Sequence, residues 1–272
     1  MKILVTGATG FIGKAIVKEL LYRGHSVVAS ARNETDMEGC EFIPYEINLN
    51  IETENLFEYF GKPDLLIHCA WDGLPNYESR HHIEQVGQHF YFIENLIYHG
   101  LKDYAVIGTC LEYGKRNGMC REDFPTNPTS AYGLAKKELY SELSKLDCLF
   151  KWFRLFYIYG DGQRGDTLLE QIKKCNTQGQ ERFKVSEVSR DFIEINDAVK
   201  FICDCAIQKQ TYGIINISSG NPQKVSDFAM KFILDNNLAI RLTYGYPKKI
   251  YEPDFFYGDT QKLNKICKRL KK

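Results

Sequence analysis

The stretch KILVTGATGFIG, Lys2–Gly13, joins a short apolar run to a turn that carries a glycine at every third position and then opens a helical pattern. In this setting Gly7 permits a tight turn, Gly10 lets backbone approach a pyrophosphate, and Gly13 lets helix and strand pack closely. The N-terminus of the helix offers free N–H groups and the positive end of its dipole to a diphosphate. Because the turn follows the first predicted strand, we expect a dinucleotide cofactor to bind at Gly7, Thr9, Gly10, Phe11, Ile12 and Gly13.

Strand-like apolar runs alternate with helical patterns through the first half of the chain. We predict helices over roughly Gly10–Arg23 and His81–His99, and strands at Lys2–Thr6, His25–Ser30, Glu41–Tyr45, Leu65–Cys69, Tyr104–Gly108 and Trp152–Tyr157. Strands separated by crossover helices predict an α/β fold, namely a doubly wound parallel Rossmann sheet with helices on both faces.

The pattern loosens after about Gly160, and Pro, Gly and aromatic residues cluster in Tyr244–Gly258. This change predicts a smaller C-terminal lobe interleaved with the last strands of the sheet. We expect residues 1–158 and about 189–218 to form the Rossmann domain. Residues about 159–188 and 219–272 would then form the substrate-binding lobe.

The overall composition argues against several classes of partner and site, namely nucleic acids, membranes and metal ions. The 272 residues contain 35 Lys and Arg against 35 Asp and Glu, so no net charge attracts nucleic acid or an anionic membrane. The nine cysteines lack zinc-site spacing and indicate reduced, mostly buried thiols rather than a disulfide framework. MKILVTG enters a strand directly, and no apolar run approaches the ~20 residues that span a membrane. We therefore expect a cytoplasmic protein with no metal site and no nucleic-acid or membrane partner.

The end of the second predicted strand bears on which dinucleotide is bound. An acidic residue there would bind the ribose hydroxyls of NAD, but the segment VVASARN has none and places Ser30 and Arg32 there instead. An arginine can pair with a 2′-phosphate and stack on adenine, so NADP(H) is favoured and NAD(H) remains possible. Asn48, after the third strand, is a candidate hydrogen-bond partner of the adenine amine.

A tyrosine followed four residues later by a lysine can form a proton-transfer pair on one helical face. The spacing occurs three times, as Tyr132/Lys136, Tyr98/Lys102 and Tyr244/Lys248, so it does not identify the working pair.

Seven segments, in this order and spacing, resemble the extended short-chain dehydrogenase/reductases, that is, the nucleotide-sugar epimerase/dehydratase family. They are TGATGFIG, DLLIHCAW, IGTCLEYG, YGLAK, FRLFYIYG, RDFIEINDA and GIINISSG, and they cover nearly the whole chain. The resemblance implies Thr109, Tyr132 and Lys136 as the catalytic residues. The other two pairs contain glycine, and Pro247 excludes a regular helix for Tyr244/Lys248.

Elementary electrostatics explains this choice of residue types. A free phenol has a pKa of ~10, which is poorly matched to proton exchange at neutral pH. An ammonium at ~4 Å would favour the phenolate by up to ~4 kcal/mol at an effective dielectric of ~20, before the opposing cost of desolvation. Lys136 could also reach the nicotinamide ribose, and Thr109 would orient the reacting oxygen.

Departures from the family pattern narrow the reaction. Dehydratases of the family resemble one another in an acidic residue one or two positions after the threonine, where this chain has Cys110 and Leu111; Glu112 comes one position too late. Enzymes of the family that epimerise carbons 3 and 5 use a cysteine two positions after the serine or threonine, together with a later histidine. Here Cys110 is only one position after Thr109, and no histidine follows His99. His89 falls near the asparagine that many relatives carry on the long helix, and could relay protons or simply pack.

The resemblance therefore implies an NADPH-dependent oxidoreductase that reduces a nucleotide-diphosphate 4-keto-6-deoxy-hexose, as in bacterial O-antigen or capsule precursor synthesis. It further implies cofactor contacts from Cys69, Ala70, Trp71 and Tyr157, substrate contacts from Cys110, Leu111, Arg190 and Tyr251, and a homodimer. A 4-epimerase with tightly bound NAD is the alternative enzyme. An NADP-sensing regulatory protein is the alternative without catalysis, and the complete set of Thr109, Tyr132 and Lys136 argues against it.

Overall fold

The fold is described from a computed structural model, which covers residues 1–33, 35–48, 55–148, 150–163, 167–245 and 253–270. Its strands, in chain order, are β1 (Lys2–Thr6), β2 (Ser26–Ser30), β3 (Glu41–Phe42), β4 (Leu65–His68), β5 (Tyr104–Thr109), β6 (Gly118–Cys120), β7 (Phe150–Leu155), β8 (Tyr157–Tyr159), β9 (Arg182–Val185), β10 (Ser189–Glu194), β11 (Gly213–Ile217), β12 (Pro222–Lys224), β13 (Arg241–Tyr244) and β14 (Phe255–Gly258). Its helices are α1 (Phe11–Tyr22), α2 (Leu56–Tyr59), α3 (His81–Glu84), α4 (Val86–Tyr98), α5 (Ala131–Leu143), α6 (Leu168–Thr177), α7 (Ile195–Ile207), α8 (Val225–Asp235) and α9 (Gln261–Leu270), with a 3₁₀ turn at Cys110–Tyr113.

Seven strands form one wholly parallel sheet in the order β11-β7-β5-β4-β1-β2-β3. The chain builds outward from β1 on one side and from β4 on the other, so the order reverses between these two strands. Ligands of such sheets bind beyond the carboxyl ends of the strands at the reversal. Thr6 and His68, paired in register at the ends of β1 and β4, mark that position.

Side chains alternate across this sheet and bury a core on each face. Ile3 and Val5 pack with α1, α7 and α9, whereas Leu4 packs on the opposite side with α2, α4 and α5. Helices on both faces of a parallel sheet confirm the predicted doubly wound α/β fold.

A second sheet has the order β12-β10-β14-β6 with β8 beside β10, and β9 and β13 form a two-stranded ribbon. Helices α6 and α8 bury a small core against the ribbon. Residues 118–120 and 189–194, which the sequence placed in the Rossmann domain, pair in the second sheet.

Two predicted elements are divided in the structure. The run Trp152–Tyr157 divides after Leu155: the backbone N–H of Phe156 still donates to the carbonyl of Ile217 on β11, whereas Tyr157 begins β8 and pairs with β10. The long helix His81–His99 splits into α3 and α4 at Gln85. Across the described ranges, no helix combines the length and apolar character needed to cross a bilayer.

Candidate active site

The glycine turn between β1 and α1 is too crowded for side chains. A Cβ on Gly13 would lie 2.2 Å from the carbonyl oxygen of Gly7, and one on Gly7, whose φ is +64°, would lie 2.7 Å from the backbone nitrogen of Ala70. The N-cap residue of α1 is Gly10, so no side chain caps the helix, and its first turn carries no acidic residue. The turn therefore fits the diphosphate of a dinucleotide, which backbone N–H groups and the helix dipole would hold.

Two cavities meet at this turn and share Gly7, Gly10, Cys69 and Trp71. The first, which we name the Arg32 cavity, has a volume of about 500 Å³ and is lined further by Thr9, Ser30, Arg32, Glu46, Asn48, Ala70 and Asp72, among others. The second, the Tyr132 cavity, has a volume of about 490 Å³ and is lined further by Phe11, Ile12, Gly13, Thr109, Cys110, Leu111, Tyr132, Lys136 and Tyr157, among others. The structure thus brings the three predicted catalytic residues together beside the glycine turn, and each cavity has the size of a ligand site.

Thr109 is held at the end of β5 by a buried carboxylate. Its hydroxyl accepts from the backbone N–H of Leu111 at 3.2 Å, while Glu112 accepts from the backbone N–H of Thr109 at 2.9 Å. This reciprocal capping box starts the 3₁₀ turn. Glu112 also accepts from Trp152 Nε1 at 2.9 Å and from Arg154 Nε at 2.8 Å. With both oxygens engaged, Glu112 fixes the backbone that presents the Thr109 hydroxyl.

Tyr132 sits in an aromatic cage near the start of α5. Its backbone N–H donates to the carbonyl of Tyr77 at 2.9 Å, and its ring centroid lies 5.6 Å from that of Tyr77, 5.2 Å from that of His82 and 6.1 Å from that of Trp71. Only 7% of Tyr132 is exposed, and burial raises the pKa of its phenol. The cage therefore holds the ring in place, but burial moves the pKa of the phenol away from neutral pH, so the lowering that the sequence argument expects has to come from positive charge beside the ring.

Lys136 lies one helical turn further along α5, and its charge faces a tryptophan. Its Nζ is 3.7 Å from the centroid of Trp71 and 6.0 Å from that of Tyr132. The ~4 Å approach of Nζ to the phenolic oxygen, on which the sequence argument relied, stays a prediction. Lys136 is 1% exposed, and burial lowers its pKa to about 7. Burial removes the ammonium from water, and the cation–π contact with the ring face of Trp71 replaces part of the lost hydration energy.

A chain of neutral imidazoles runs beneath Trp71. His68 Nδ1 lies 2.9 Å from the Thr6 hydroxyl, His68 Nε2 lies 2.9 Å from His89 Nδ1, and His89 Nε2 lies 3.1 Å from Gln85 Oε1. The amide oxygen of Gln85 can only accept, so His89 Nε2 must donate to it. His68 Nε2 then donates to His89 Nδ1, and the Thr6 hydroxyl donates to His68 Nδ1. Burial lowers the pKa of His68 to about 3 and that of His89 well below its usual range, so both rings stay neutral.

Arg32, which the sequence suggested as a ligand of a 2′-phosphate, lines the Arg32 cavity and is paired with a carboxylate. Its guanidinium pairs with the carboxylate of Asp72, at 3.3 Å from Nη1 to Oδ2 and 3.4 Å from Nη2 to Oδ1. Asn48 lines the same cavity and donates its side-chain amide to the carbonyl of Glu46 at 3.2 Å.

Of the four predicted substrate contacts, two line the Tyr132 cavity. Cys110 and Leu111 line the Tyr132 cavity, as does Tyr157. Arg190 is 2% exposed, and its Nη1 donates to the backbone carbonyls of Ser189 and Pro253, while its guanidinium carbon lies 5.3 Å from the centroid of Tyr157. It thus packs against a cavity wall, and a contact with a diphosphate stays a prediction. Tyr251 lies outside the described residues.

Sequence reasoning missed Asp72, His82 and the positioning role of Glu112. The pattern Thr109-x-x-Glu112 is a readable capping-box signal. Asp72 and His82 carry no such signal, because their roles depend on how the segment between β4 and α3 folds over the cavities. Within the described ranges, no group of three or more His, Cys, Asp or Glu could hold a metal ion.

The chain is similar to known proteins over most of its length. Residues 3–218 match the model of the NAD dependent epimerase/dehydratase family. The dTDP-6-deoxy-L-talose 4-dehydrogenase (NAD(+)) of Aggregatibacter actinomycetemcomitans is 30% identical over 270 residues, covering 95% of this chain and 99% of the relative. An uncharacterised UDP-glucose epimerase of Bacillus subtilis is 24% identical over 300 residues, covering 98% of this chain and 92% of the relative.

Among solved structures, MoeE5 in complex with UDP-glucuronic acid and NAD superposes with a TM-score of 0.82 at 22% identity, covering 98% of this chain and 92% of that one. This likeness supports the Rossmann architecture, and the family match confirms the resemblance predicted from the seven sequence segments. The chain belongs to the NAD dependent epimerase/dehydratase family.

Proposed function

We propose that the chain transfers hydride at carbon 4 of a nucleotide-diphosphate 6-deoxy-hexose, reducing the 4-keto sugar to the 4-hydroxy sugar. The observation that carries this proposal is the convergence of Thr109, Tyr132 and Lys136 in one cavity beside the glycine turn, with the nearby Glu112 already committed to Arg154. The relative named as a dTDP-6-deoxy-L-talose 4-dehydrogenase acts, by its name, at the same carbon of such a sugar and supports the assignment.

The side chains have complementary tasks in this reaction. A bound nicotinamide supplies the hydride. Tyr132 donates its phenolic proton to the oxygen on carbon 4, and the Thr109 hydroxyl donates a hydrogen bond to the same oxygen. Lys136 places a positive charge near the phenolate that remains, which stabilises it.

The position of Glu112 argues against a dehydratase. Elimination of water requires a carboxylate that can reach a carbon-bound proton of the substrate. Glu112 is fully buried, and its oxygens accept from Thr109, Trp152 and Arg154. Moving it into the cavity would leave the Arg154 guanidinium buried without its partner.

The apolar part of the Tyr132 cavity lining supports the proposal that the substrate is a sugar without a hydroxyl at carbon 6. Leu74, Pro75 and Leu111 line the cavity together with Tyr132. An apolar wall accommodates the methyl group of a 6-deoxy sugar, whereas a hydroxymethyl group placed there would lose hydrogen bonds to water. Such 6-deoxy sugars would serve as precursors of bacterial surface glycans, as the sequence-based interpretation supposes.

A panel of sugar nucleotides tests this function. Purified protein is incubated with 4-keto-6-deoxy sugars linked to dTDP, GDP, CDP and UDP, each with NADH and with NADPH. Consumption of reduced cofactor is followed by absorbance, and the product is assigned by NMR. We expect turnover with at least the dTDP substrate and a 4-hydroxy product. Failure with all four nucleotides would overturn the proposal.

A nucleotide-sugar 4-epimerase is the second candidate, because the Bacillus subtilis relative is named as an epimerase. An epimerase oxidises and re-reduces the same carbon, so it would retain NAD through purification and consume no added cofactor. In the same panel, supplied also with 4-hydroxy sugar nucleotides, it would interconvert them without any net change in reduced nicotinamide.

A further inference from the structure

The indole of Trp71 is oriented by a hydrogen bond at its edge. Its Nε1–H donates to Nδ1 of His82 at 3.0 Å, and the two rings are nearly parallel, at an interplanar angle of 18° with centroids 6.4 Å apart. An indole nitrogen can only donate, so Nδ1 of His82 has to accept and carries no proton. Because this bond fixes the edge of the indole, it also fixes the ring face that lies 3.7 Å from the Nζ of Lys136.

The second nitrogen of His82 is engaged as well. Nε2 lies 2.8 Å from the backbone carbonyl oxygen of Asn76, which can only accept, so Nε2 carries the proton. Both contacts therefore require the same neutral tautomer, whereas an imidazolium would set its Nδ1 proton against that of the Trp71 indole. His82 is fully buried, and burial lowers its pKa, which favours the neutral ring. The ring packs closely on Gly73, where a Cβ would lie 3.0 Å from Cε1 of His82.

His82 connects the segment between β4 and α3 to the proposed catalytic residues. The residues of this segment that line the Tyr132 cavity are Trp71, Leu74, Pro75 and Tyr77. The hydrogen bonds of His82 join the start of the segment to its middle, at Asn76. The same imidazole lies with its centroid 5.2 Å from that of Tyr132. One buried ring thus contacts the aromatic partner of Lys136, the segment that forms a cavity wall and the proposed proton donor.

We propose that His82 is a positioning residue for the proposed reaction, in which its Nε2-protonated tautomer orients Trp71 and so holds the Lys136 ammonium beside Tyr132. His82 is not among the described residues that line either cavity, so it acts through Trp71 and not on the substrate. The proposal rests on the proposed function for its kinetic consequence alone. The tautomer and the ring positions can be measured without substrate or cofactor.

Nuclear magnetic resonance of the cofactor-free, nitrogen-15-labelled protein tests the arrangement. The chain has two tryptophans, so its proton–nitrogen spectrum holds two indole signals, and Trp71→Phe identifies that of Trp71. His82→Leu removes both hydrogen bonds, whereas His82→Gln keeps an amide that can accept and donate. His99→Leu is the matched control, because His99 is a half-buried histidine at the end of α4 that also donates to a backbone carbonyl, that of Asn95, at 2.8 Å.

We expect the wild type to show His82 unprotonated at Nδ1 and protonated at Nε2. The Cε protons of Lys136, next to the Nζ above the indole, should be shifted upfield by the ring current of Trp71. His82→Leu should move the indole signal of Trp71 and reduce this upfield shift. His82→Gln should restore most of both, and His99→Leu should change neither. An unchanged indole signal of Trp152 in His82→Leu would show that the core is intact.

Kinetics on the substrate that the sugar panel identifies tests the consequence. His82→Leu should lower kcat by about 10–10²-fold, as misplacement of reacting groups by ~1 Å does, and His82→Gln should recover most of this loss. An Nδ1-protonated His82 in the wild type, an indole signal of Trp71 or a Lys136 shift that is the same in His82→Leu, or wild-type kcat in that variant would overturn the proposal. If no sugar is turned over, the spectra decide it. If His82→Leu does not fold, the wild-type tautomer and His82→Gln decide it.

Discussion

The ammonium of Lys136 lies 3.7 Å from the centroid of the Trp71 ring, and the same ring stacks on His89 at 4.6 Å. A buried lysine ordinarily needs a carboxylate or several hydrogen-bond acceptors. Here an aromatic face provides part of the stabilisation, which leaves the Nζ protons free to bind a ribose or to stabilise the Tyr132 phenolate. Trp71 is therefore a positioning residue for the charge on which the proposed chemistry depends.

Replacing Trp71 by leucine should lower the pKa of Lys136 further. A desolvated cation–π contact contributes about 0.5–2 kcal/mol to the charged form, which corresponds to roughly 0.4–1.5 pKa units. Since the reaction needs the ammonium, the alkaline decline of kcat/KM should begin at lower pH in Trp71→Leu. Measurement at saturating cofactor separates this effect from weakened cofactor binding. Trp71→Phe keeps a ring and should shift the profile less; an identical pH profile in Trp71→Leu would contradict the assignment.

The phenolic oxygen of Tyr132 carries the proposed proton transfer, so Tyr132→Phe should lower kcat by about 10²–10⁴-fold. The ring, and with it the packing against Tyr77 and His82, is preserved, so the dissociation constant for the cofactor should change little. Tyr140→Phe is the matched control, because Tyr140 lies on the same helix and packs its ring against Phe150 and Trp152. Full activity of Tyr132→Phe on every substrate that the wild type turns over would refute the role.

Lys136 should also destabilise the unliganded protein. Its pKa is about 7 in the folded chain against an ordinary value of 10.5, so between these values the unfolded chain binds a proton that the folded chain lacks. The penalty is fully present below pH 7 and disappears as the pH rises toward 10.5. Lys136→Met should therefore raise the free energy of unfolding at pH 7, by on the order of 2–5 kcal/mol, and flatten its rise with pH.

Urea denaturation of the cofactor-free protein at several pH values measures this effect. Lys137→Met is the control, since Lys137 is the exposed neighbour that donates to the carbonyl of Thr126. We expect a change within about 0.5 kcal/mol there. A loss of stability in Lys136→Met at pH 7 would show that the Trp71 contact more than compensates for burial.

Features that depend on local residue order can be predicted from the sequence. Contacts between segments that are distant in the chain cannot. Alternating strands and helices predict the parallel sheet, and the glycine turn predicts where its crevice lies. Tyr132 and Lys136 are four residues apart on one helix, so their closeness to each other is predicted once the pair is chosen. By contrast, Lys136 meets Trp71, and Arg32 meets Asp72, only because the segment after β4 folds across the end of the sheet. No spacing rule encodes such contacts.

Arg190 has contacts that its motif does not predict, while its contact with a diphosphate stays a prediction. Its place in the segment RDFIEINDA favours a phosphate ligand, yet backbone carbonyls of Ser189 and Pro253 accept from its guanidinium. Residue type and position in a motif predict what a side chain can bind. Which partner it finds depends on the second sheet, whose strands come from distant parts of the chain.

Breaking the ion pair of Glu112 and Arg154 should cost both stability and activity. The side chains are 1% and 3% exposed and 2.8 Å apart, and removing one charge from a buried pair typically destabilises a protein by about 3–5 kcal/mol. Glu112→Gln should thus lower Tm by several degrees. It should also lower kcat more than it raises KM, because the backbone N–H of Thr109 loses a charged acceptor. Glu142→Gln, which removes an exposed carboxylate paired with Lys145, should change Tm little.

A double-mutant cycle distinguishes this pair from general disruption of the core. If Glu112 and Arg154 stabilise the fold mainly by neutralising each other, Glu112→Gln/Arg154→Met should be less destabilised than the sum of the two single variants. The kcat defect should nevertheless persist in the double variant, because neither substitution restores a carboxylate to Thr109. Additive losses of stability, or recovery of kcat together with stability, would show that Glu112 does not position Thr109 through its charge.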